Sequence, residues 1–176
     1  DIHIHATKFD GHILDLVVDY VTCVIVPVVM FIKLELLTGN WSFFYAGLII
    51  FTGALWFART DQETDDHWFN GFPAAWNLAI PTFLILGTRE SYVILIIVLL
   101  SILSLTKLKF PHLVKVEHLR PITWTLAVIY FVALTALSVK YPEGPSSLKP
   151  ILVLFPLYIF GISIHHSWKV RQSGVE

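Results

Sequence analysis

The sequence predicts an all-α fold, a polytopic bundle of transmembrane helices in one domain over 1–176. Three observations lead there. First, 56% of the 176 residues are hydrophobic and only 14% are charged, whereas soluble domains run near half apolar and a quarter charged. Second, the apolar residues fall into six blocks, at 13–37, 41–57, 72–86, 92–105, 122–139 and 151–167. Third, the blocks are continuous rather than alternating, which excludes a transmembrane barrel. Lipid offers no water to unpaired backbone groups, so such blocks must be helices.

The blocks differ in strength. A full span needs about 20 apolar residues, and the third and fourth blocks are short of that. No repeat of fixed period and no low-complexity stretch interrupts them. The single cysteine, Cys23, sits in an apolar run and reads as a small buried hydrophobe. A formal net charge of -1 gives no basis for a nucleic-acid partner, and none is expected. The chain opens on Asp1 rather than Met, so a preceding segment is expected.

Six spans put both ends of the chain on one side. That side would hold the N-terminal tail, loops 58–71 and 106–121, and the C-terminal tail. It carries Lys8, Arg59, Lys107, Lys109, Lys115, Arg120, Lys169 and Arg171. The opposite side has Lys33, Arg89, Lys140 and Lys149. The positive-inside rule makes the richer side cytoplasmic. Trp41, Trp68, Trp124 and Trp168 fall near span ends, as an aromatic belt would place them.

The first block opens Phe9-Asp10-Gly11-His12-Ile13-Leu14-Asp15-Leu16-Val17-Val18-Asp19-Tyr20. Asp15 and Asp19 are four apart and share a helical face with Gly11. Two like charges at that spacing repel, and one Asp at the centre of a span costs about 2.5–3.5 kcal/mol on insertion scales. A compensating cation would offset this. Paired carboxylates are hard oxygen ligands that suit a divalent ion, Mg²⁺ or Mn²⁺. Gly11 would let a bulky ligand approach the backbone. A hydrated helix end among the headgroups is the plainer alternative, and spacing leaves both open.

The motif Gly11-x3-Asp15-x3-Asp19 resembles the second half of the CDP-alcohol phosphatidyltransferase signature, D-x2-D-G-x2-A-R-x8-9-G-x3-D-x3-D. Phe57-Ala58-Arg59 and Phe69-Asn70-Gly71-Phe72-Pro73 are similar to the A-R and F-x-G-x-P elements of phosphatidylserine and phosphatidylcholine synthases. The runs FDGHILDLVVDYVT, NGFPAAWN and HLRPIT look most like the bacterial phosphatidylcholine synthase branch, and the resemblance extends over essentially the whole chain. The first half of the signature is absent from residues 1–9 and from the run upstream of Ala58-Arg59. The resemblance implies eight spans in the complete protein against six here, with two N-terminal spans carrying the missing half.

The resemblance implies phosphatidyl transfer from CDP-diacylglycerol to choline in the bacterial inner membrane, with the active site toward the cytoplasm. It makes Asp15 a metal ligand and Asp19 the general base and a second metal contact. Gly11 would line the nucleotide pocket. It implies a divalent cofactor, Mn²⁺ or Mg²⁺, and allows a homodimer. Choline is a quaternary ammonium, which aromatic faces bind. Tyr20, Phe69, Phe72 and Trp76, with Asn77, are candidates for that cage, although aromatics also crowd membrane interfaces. Arg59 is a candidate lipid-phosphate contact, or an interfacial anchor.

The acidic loop Asp61-Gln62-Glu63-Thr64-Asp65-Asp66-His67 is expected to be solvated or to attract choline. The basic segment 107–120 reads as interfacial, able to hold anionic lipid or nucleotide phosphate. Adjacent His165 and His166 point to different helix faces and do not suggest a joint metal site, and His3 and His5 belong to an end expected to be flexible. Two rival functions remain: a phosphatidylserine synthase of the same family, and an ion-coupled transporter using Asp15 and Asp19.

Overall fold

The computed structural model describes residues 10–116 and 120–173. His3, His5 and Lys8 and residues 117–119, near the end of the basic segment, lie outside them. The order is α1 (Gly11–Lys33), α2 (Trp41–Phe57), β1 (Trp68–Asn70), α3 (Trp76–Leu86), α4 (Glu90–Ser104), β2 (Lys109–Pro111), α5 (Arg120–Val139) and α6 (Lys149–Ser173). Each expected block has become one helix, and the only sheet among the described residues is the antiparallel pair β1–β2. The fold is an all-α membrane bundle.

Local chemistry sets the helix ends. Asp10 caps α1, its carboxylate accepting from the His12 and Ile13 amides at 2.9 and 3.2 Å. Gly87, with φ 61°, closes α3 in the left-handed region. There the Thr88 amide bonds the Phe83 carbonyl at 3.0 Å and the Gly87 amide bonds that of Leu84 at 3.1 Å. The third block was expected to be helical from 72, but α3 starts only at Trp76. Pro73 disfavours helix for the residue before it, and Ala74 takes φ 48°. The resulting extended stretch is packed inside the protein, with Gly71, Phe72 and Ala74 buried. Non-helical backbone is tolerated at membrane depth only where protein covers it.

Three helices are long and apolar enough to cross a bilayer: Gly11–Lys33, Pro121–Val139 and Ser146–Gln172. The other three, Trp41–Phe57, Trp76–Leu86 and Glu90–Ser104, are shorter. At 1.5 Å per residue, α3 covers roughly 17 Å of a hydrocarbon core about 30 Å thick. It lies against other helices, and its Trp76, Ile80 and Phe83 are buried.

Two apolar cores meet at α3. One gathers Val24, Val28, Phe31, Ile49, Trp56, Ile80 and Ile97 from α1 to α4. The other joins Ile85 to Tyr130, Leu137 and Leu152 of α5 and α6. Gly53 lets α2 approach α1 closely, since a Cβ there would stand 2.9 Å from a Val24 methyl. Polar links cross the second core: Thr82 to Tyr130 at 3.2 Å and Thr123 to Tyr158 at 2.9 Å. The outward faces present large apolar side chains such as Phe43, Phe51, Leu95, Val132 and Leu154. That is the surface lipid requires of an integral membrane protein.

The candidate carboxylate site and the loop junction beside it

Helix α1 carries Gly11, Asp15 and Asp19 on one face, and no residue from Gly11 to Tyr20 is buried. Both carboxylates are exposed. A Cβ built on Gly11 would meet nothing within 4 Å, so the backbone there is open to a ligand. Among the described residues, no group of three or more His, Cys, Asp or Glu gathers to hold a metal ion. The donor chemistry of the pair still fits a hard divalent cation. Mg²⁺ in particular takes one or two carboxylates and completes its shell with water and substrate phosphate.

The antiparallel contact of α1 with α2 sets the height of these acids. Tyr20 donates from its hydroxyl to the Ile50 carbonyl at 3.1 Å and meets Phe57 edge-on at 5.8 Å. One helical turn above Tyr20, Asp15 and Leu16 therefore reach the level of the loop that leaves Phe57. Loop 58–71 and residues 106–116 share that end of the bundle, because β1 pairs with β2.

The loops form a dense junction. Arg59 binds Asp61 through two contacts, at 2.8 and 2.9 Å, and donates to the Ser104 and Thr106 carbonyls at 3.1 and 2.9 Å. It thus caps the carbonyl end of α4, where a cation is favoured. Its hydrogen bonds hold the Asp61 carboxyl below its ordinary value. Gly71, at φ 81°, lies so close to α4 that a Cβ would stand 2.5 Å from the Ser104 carbonyl oxygen. Asn70 accepts from Trp56 Nε1 at 2.9 Å through its carbonyl and from Lys109 Nζ at 2.7 Å through its side chain. Burial lowers the Lys109 ammonium pKa, as does neighbouring Lys107. The Phe69-Asn70-Gly71-Phe72-Pro73 run is therefore a joint between α2, α4 and the strand pair.

The acidic loop stays exposed, as expected of a solvated loop, and three of its four carboxylates also meet bases: Asp61, Glu63 and Asp66. Lys115 donates to both Glu63 oxygens at 2.9 Å, and His67 Nδ1 lies 2.8 Å from one of them. Burial pushes the Glu63 carboxyl up, but the Lys115 and His67 contacts outweigh it and leave it below its ordinary value. His166 stacks on Trp68 with ring centres 3.7 Å apart and lies 3.3 Å from Asp66. Sequence reasoning missed this role for His166, since nothing local ties it to Trp68. His165 stays exposed.

The aromatic candidates separate. Tyr20 is half-buried beside the carboxylates, and Asn77 is exposed at the start of α3. Phe72 and Trp76 pack edge-on to each other at 5.6 Å within the core. Phe69 lies between Trp56, at 5.6 Å, and His112, at 5.1 Å.

Similarity to known proteins is consistent across bacteria. The chain is 29% identical to a phosphatidylcholine synthase of Rhizobium meliloti (strain 1021), over 88% of the chain and 64% of that relative. It is 28% identical to the Pseudomonas aeruginosa phosphatidylcholine synthase, over 90% of the chain and 67% of the relative. It is 30% identical to the Legionella bozemanae phosphatidylcholine synthase, over 77% and 66%. The chain thus spans about two thirds of the length of these relatives. No family model matches it. No solved structure matches it.

Proposed function

Since the chain belongs to a bacterial phosphatidylcholine synthase-like family, we propose that it takes part in transferring the phosphatidyl group of CDP-diacylglycerol to choline, releasing CMP. The observation that carries this reading is the pair Asp15 and Asp19, exposed one turn apart on one face of α1 below the open backbone of Gly11.

Asp19 takes the proton of the choline hydroxyl. The alcohol oxygen then forms a bond to the lipid-bearing phosphorus, the bond from that phosphorus to the CMP oxygen breaks, and CMP leaves with the electron pair. Asp19 returns its proton to solvent. General-base help of this kind is typically worth ~10²–10⁴-fold. Asp15, together with Asp19, would hold Mg²⁺ or Mn²⁺, whose chemistry is to neutralise the negative charge of the pyrophosphate. Gly11 leaves room for the nucleotide against the helix start. Tyr20 is the aromatic candidate next to the acids, where its face would suit a quaternary ammonium.

The Lys and Arg excess at this end of the bundle supports a cytoplasmic orientation in a bacterial inner membrane. Incorporation of labelled choline by the full-length protein tests the reading. It should require CDP-diacylglycerol and a divalent ion. Preferential use of serine would move the assignment to phosphatidylserine synthesis, and transport without nucleotide would overturn it.

A further inference from the structure

Helix α1 is not regular. Between Val21 and Ile25 it widens into a π turn, in which the Val26 amide bonds the Val21 carbonyl. The turn sits directly between the two carboxylates and the part of α1 that anchors in the core. Pro27 follows it. Proline lacks the amide an α-helix needs, and its ring crowds the carbonyl four residues earlier, here that of Cys23. Widening the preceding turn relieves that crowding, and single π turns are commonly found at functional sites. Thr22 donates within the turn to the carbonyls of Val18 and Asp19, at 2.9 and 3.3 Å.

The consequence is a change of phase. Within and below the turn the buried stripe is Val24, Pro27, Val28 and Phe31. At about 100° per residue, an unbroken α-helix would continue that stripe upward at Tyr20, Val17 and Ile13. Asp15 and Asp19 would then lie roughly 130–170° from it, on the side opposite the described core. The observed burial is different. Val17 and Ile13 are 55% and 59% exposed, while Leu16 and Tyr20 are the half-buried positions. At about 100° per residue the inward face has turned by roughly 50°: Tyr20 stays on it, and Leu16 replaces Val17 and Ile13. Each carboxylate now directly precedes an inward-facing residue.

We propose that Pro27 is a positioning residue: by forcing the π turn it rotates Asp15 and Asp19 from the side opposite the described core toward the flank of the bundle. The rotation concerns the helix alone, and its catalytic meaning rests on the function proposed above.

The test replaces Pro27 with Leu in the full-length protein with Cys23→Ser. Single cysteines placed from Ile13 to Tyr20 are labelled with a water-soluble thiol reagent. In the parent, protection should peak at positions 16 and 20. In Pro27→Leu it should move to 13, 17 and 20. Mn²⁺ affinity, read by electron paramagnetic resonance, should fall with that shift. Choline transfer should drop about 10²-fold, the scale of a misplaced reacting group.

A proline that merely stabilises the helix would leave the protection pattern at positions 16 and 20. Unchanged protection in Pro27→Leu overturns the proposal. So does a shifted pattern with full Mn²⁺ binding and transfer. If the parent transfers nothing to choline, the functional reading fails while the labelling pattern still decides the rotation.

Discussion

Arg59 holds Asp61 with two parallel contacts, Nε to Oδ1 at 2.8 Å and Nη2 to Oδ2 at 2.9 Å, while its remaining terminal nitrogen reaches the carbonyl end of α4. This geometry favours a structural role over the lipid-phosphate contact considered from sequence. An exposed ion pair contributes little, about 0–1 kcal/mol. The two carbonyl contacts add about 0.5–1.5 kcal/mol each. Arg59→Ala should therefore lower the melting temperature in detergent by about 4–8 °C. Arg59→Lys should recover part of that, since an ammonium keeps charge without the planar fork. A rise in KM for CDP-diacylglycerol with an unchanged melting temperature would instead assign Arg59 to substrate phosphate.

Gly71 makes a sharper prediction. Its positive φ and its approach to the Ser104 carbonyl leave no room for a methyl group. Backbone on both sides of the contact cannot yield as a side chain would. Gly71→Ala should cost about 3 kcal/mol or more, as strain and overlap add. The expected readout is loss of monodisperse protein on size exclusion, with transfer lost in proportion to folded protein. Wild-type yield and melting temperature in Gly71→Ala would refute the close approach.

The loop junction should weaken as pH falls, in two stages. Burial, followed by neighbouring Lys115, lowers the pKa of His112 below its ordinary 6.5. An unfolded chain then binds more protons at this site, so stability declines as pH drops through 6.5 toward the folded value. Asp61 and Glu63 lie below their ordinary 3.8 and 4.5. Their contribution is present above those values and is lost as pH falls through the lower folded ones. Thermal unfolding between pH 7 and 4 should show the first decline, and His112→Gln should flatten it. Glu63→Gln should remove part of the second. A melting temperature flat from pH 7 to 4 would contradict the burial of His112.

The helices were legible because lipid forces continuous apolar blocks, and each block from 13 onward became one helix. The start of α3 was not, since Phe72-Pro73-Ala74-Ala75 is as apolar as a helix and only the proline warned against it. The loop junction was also hidden. Trp68 on His166 and Asp66 beside it join positions far apart in the chain, with no local pattern to betray them. Gly11, Asp15 and Asp19 were visible as a spacing, and the structure places all three on one face, as the spacing implies; that this face is exposed was not legible. Their phase relative to the bundle was invisible, because a π turn leaves no periodic trace beyond Pro27 itself.

The two motif carboxylates should prove separable. Asp19→Asn keeps the size of the side chain and some ligand capacity but removes the base that accepts the choline proton. Transfer should fall by ~10²–10⁴-fold, while CDP-diacylglycerol binding changes much less. Asp15→Asn removes a charged ligand to a hard cation, so metal-dependent nucleotide binding should weaken along with rate. Raising the metal concentration should then restore part of the Asp15→Asn rate and none of the Asp19→Asn rate. Purified full-length protein, a direct binding measurement and a metal titration make the comparison. Equal loss of binding in both variants, with rescue of both by added metal, would make Asp19 a ligand rather than a dedicated base. Full activity in Asp19→Asn would remove the proposed reaction's central residue, and the exposed face of α1 would then need another explanation.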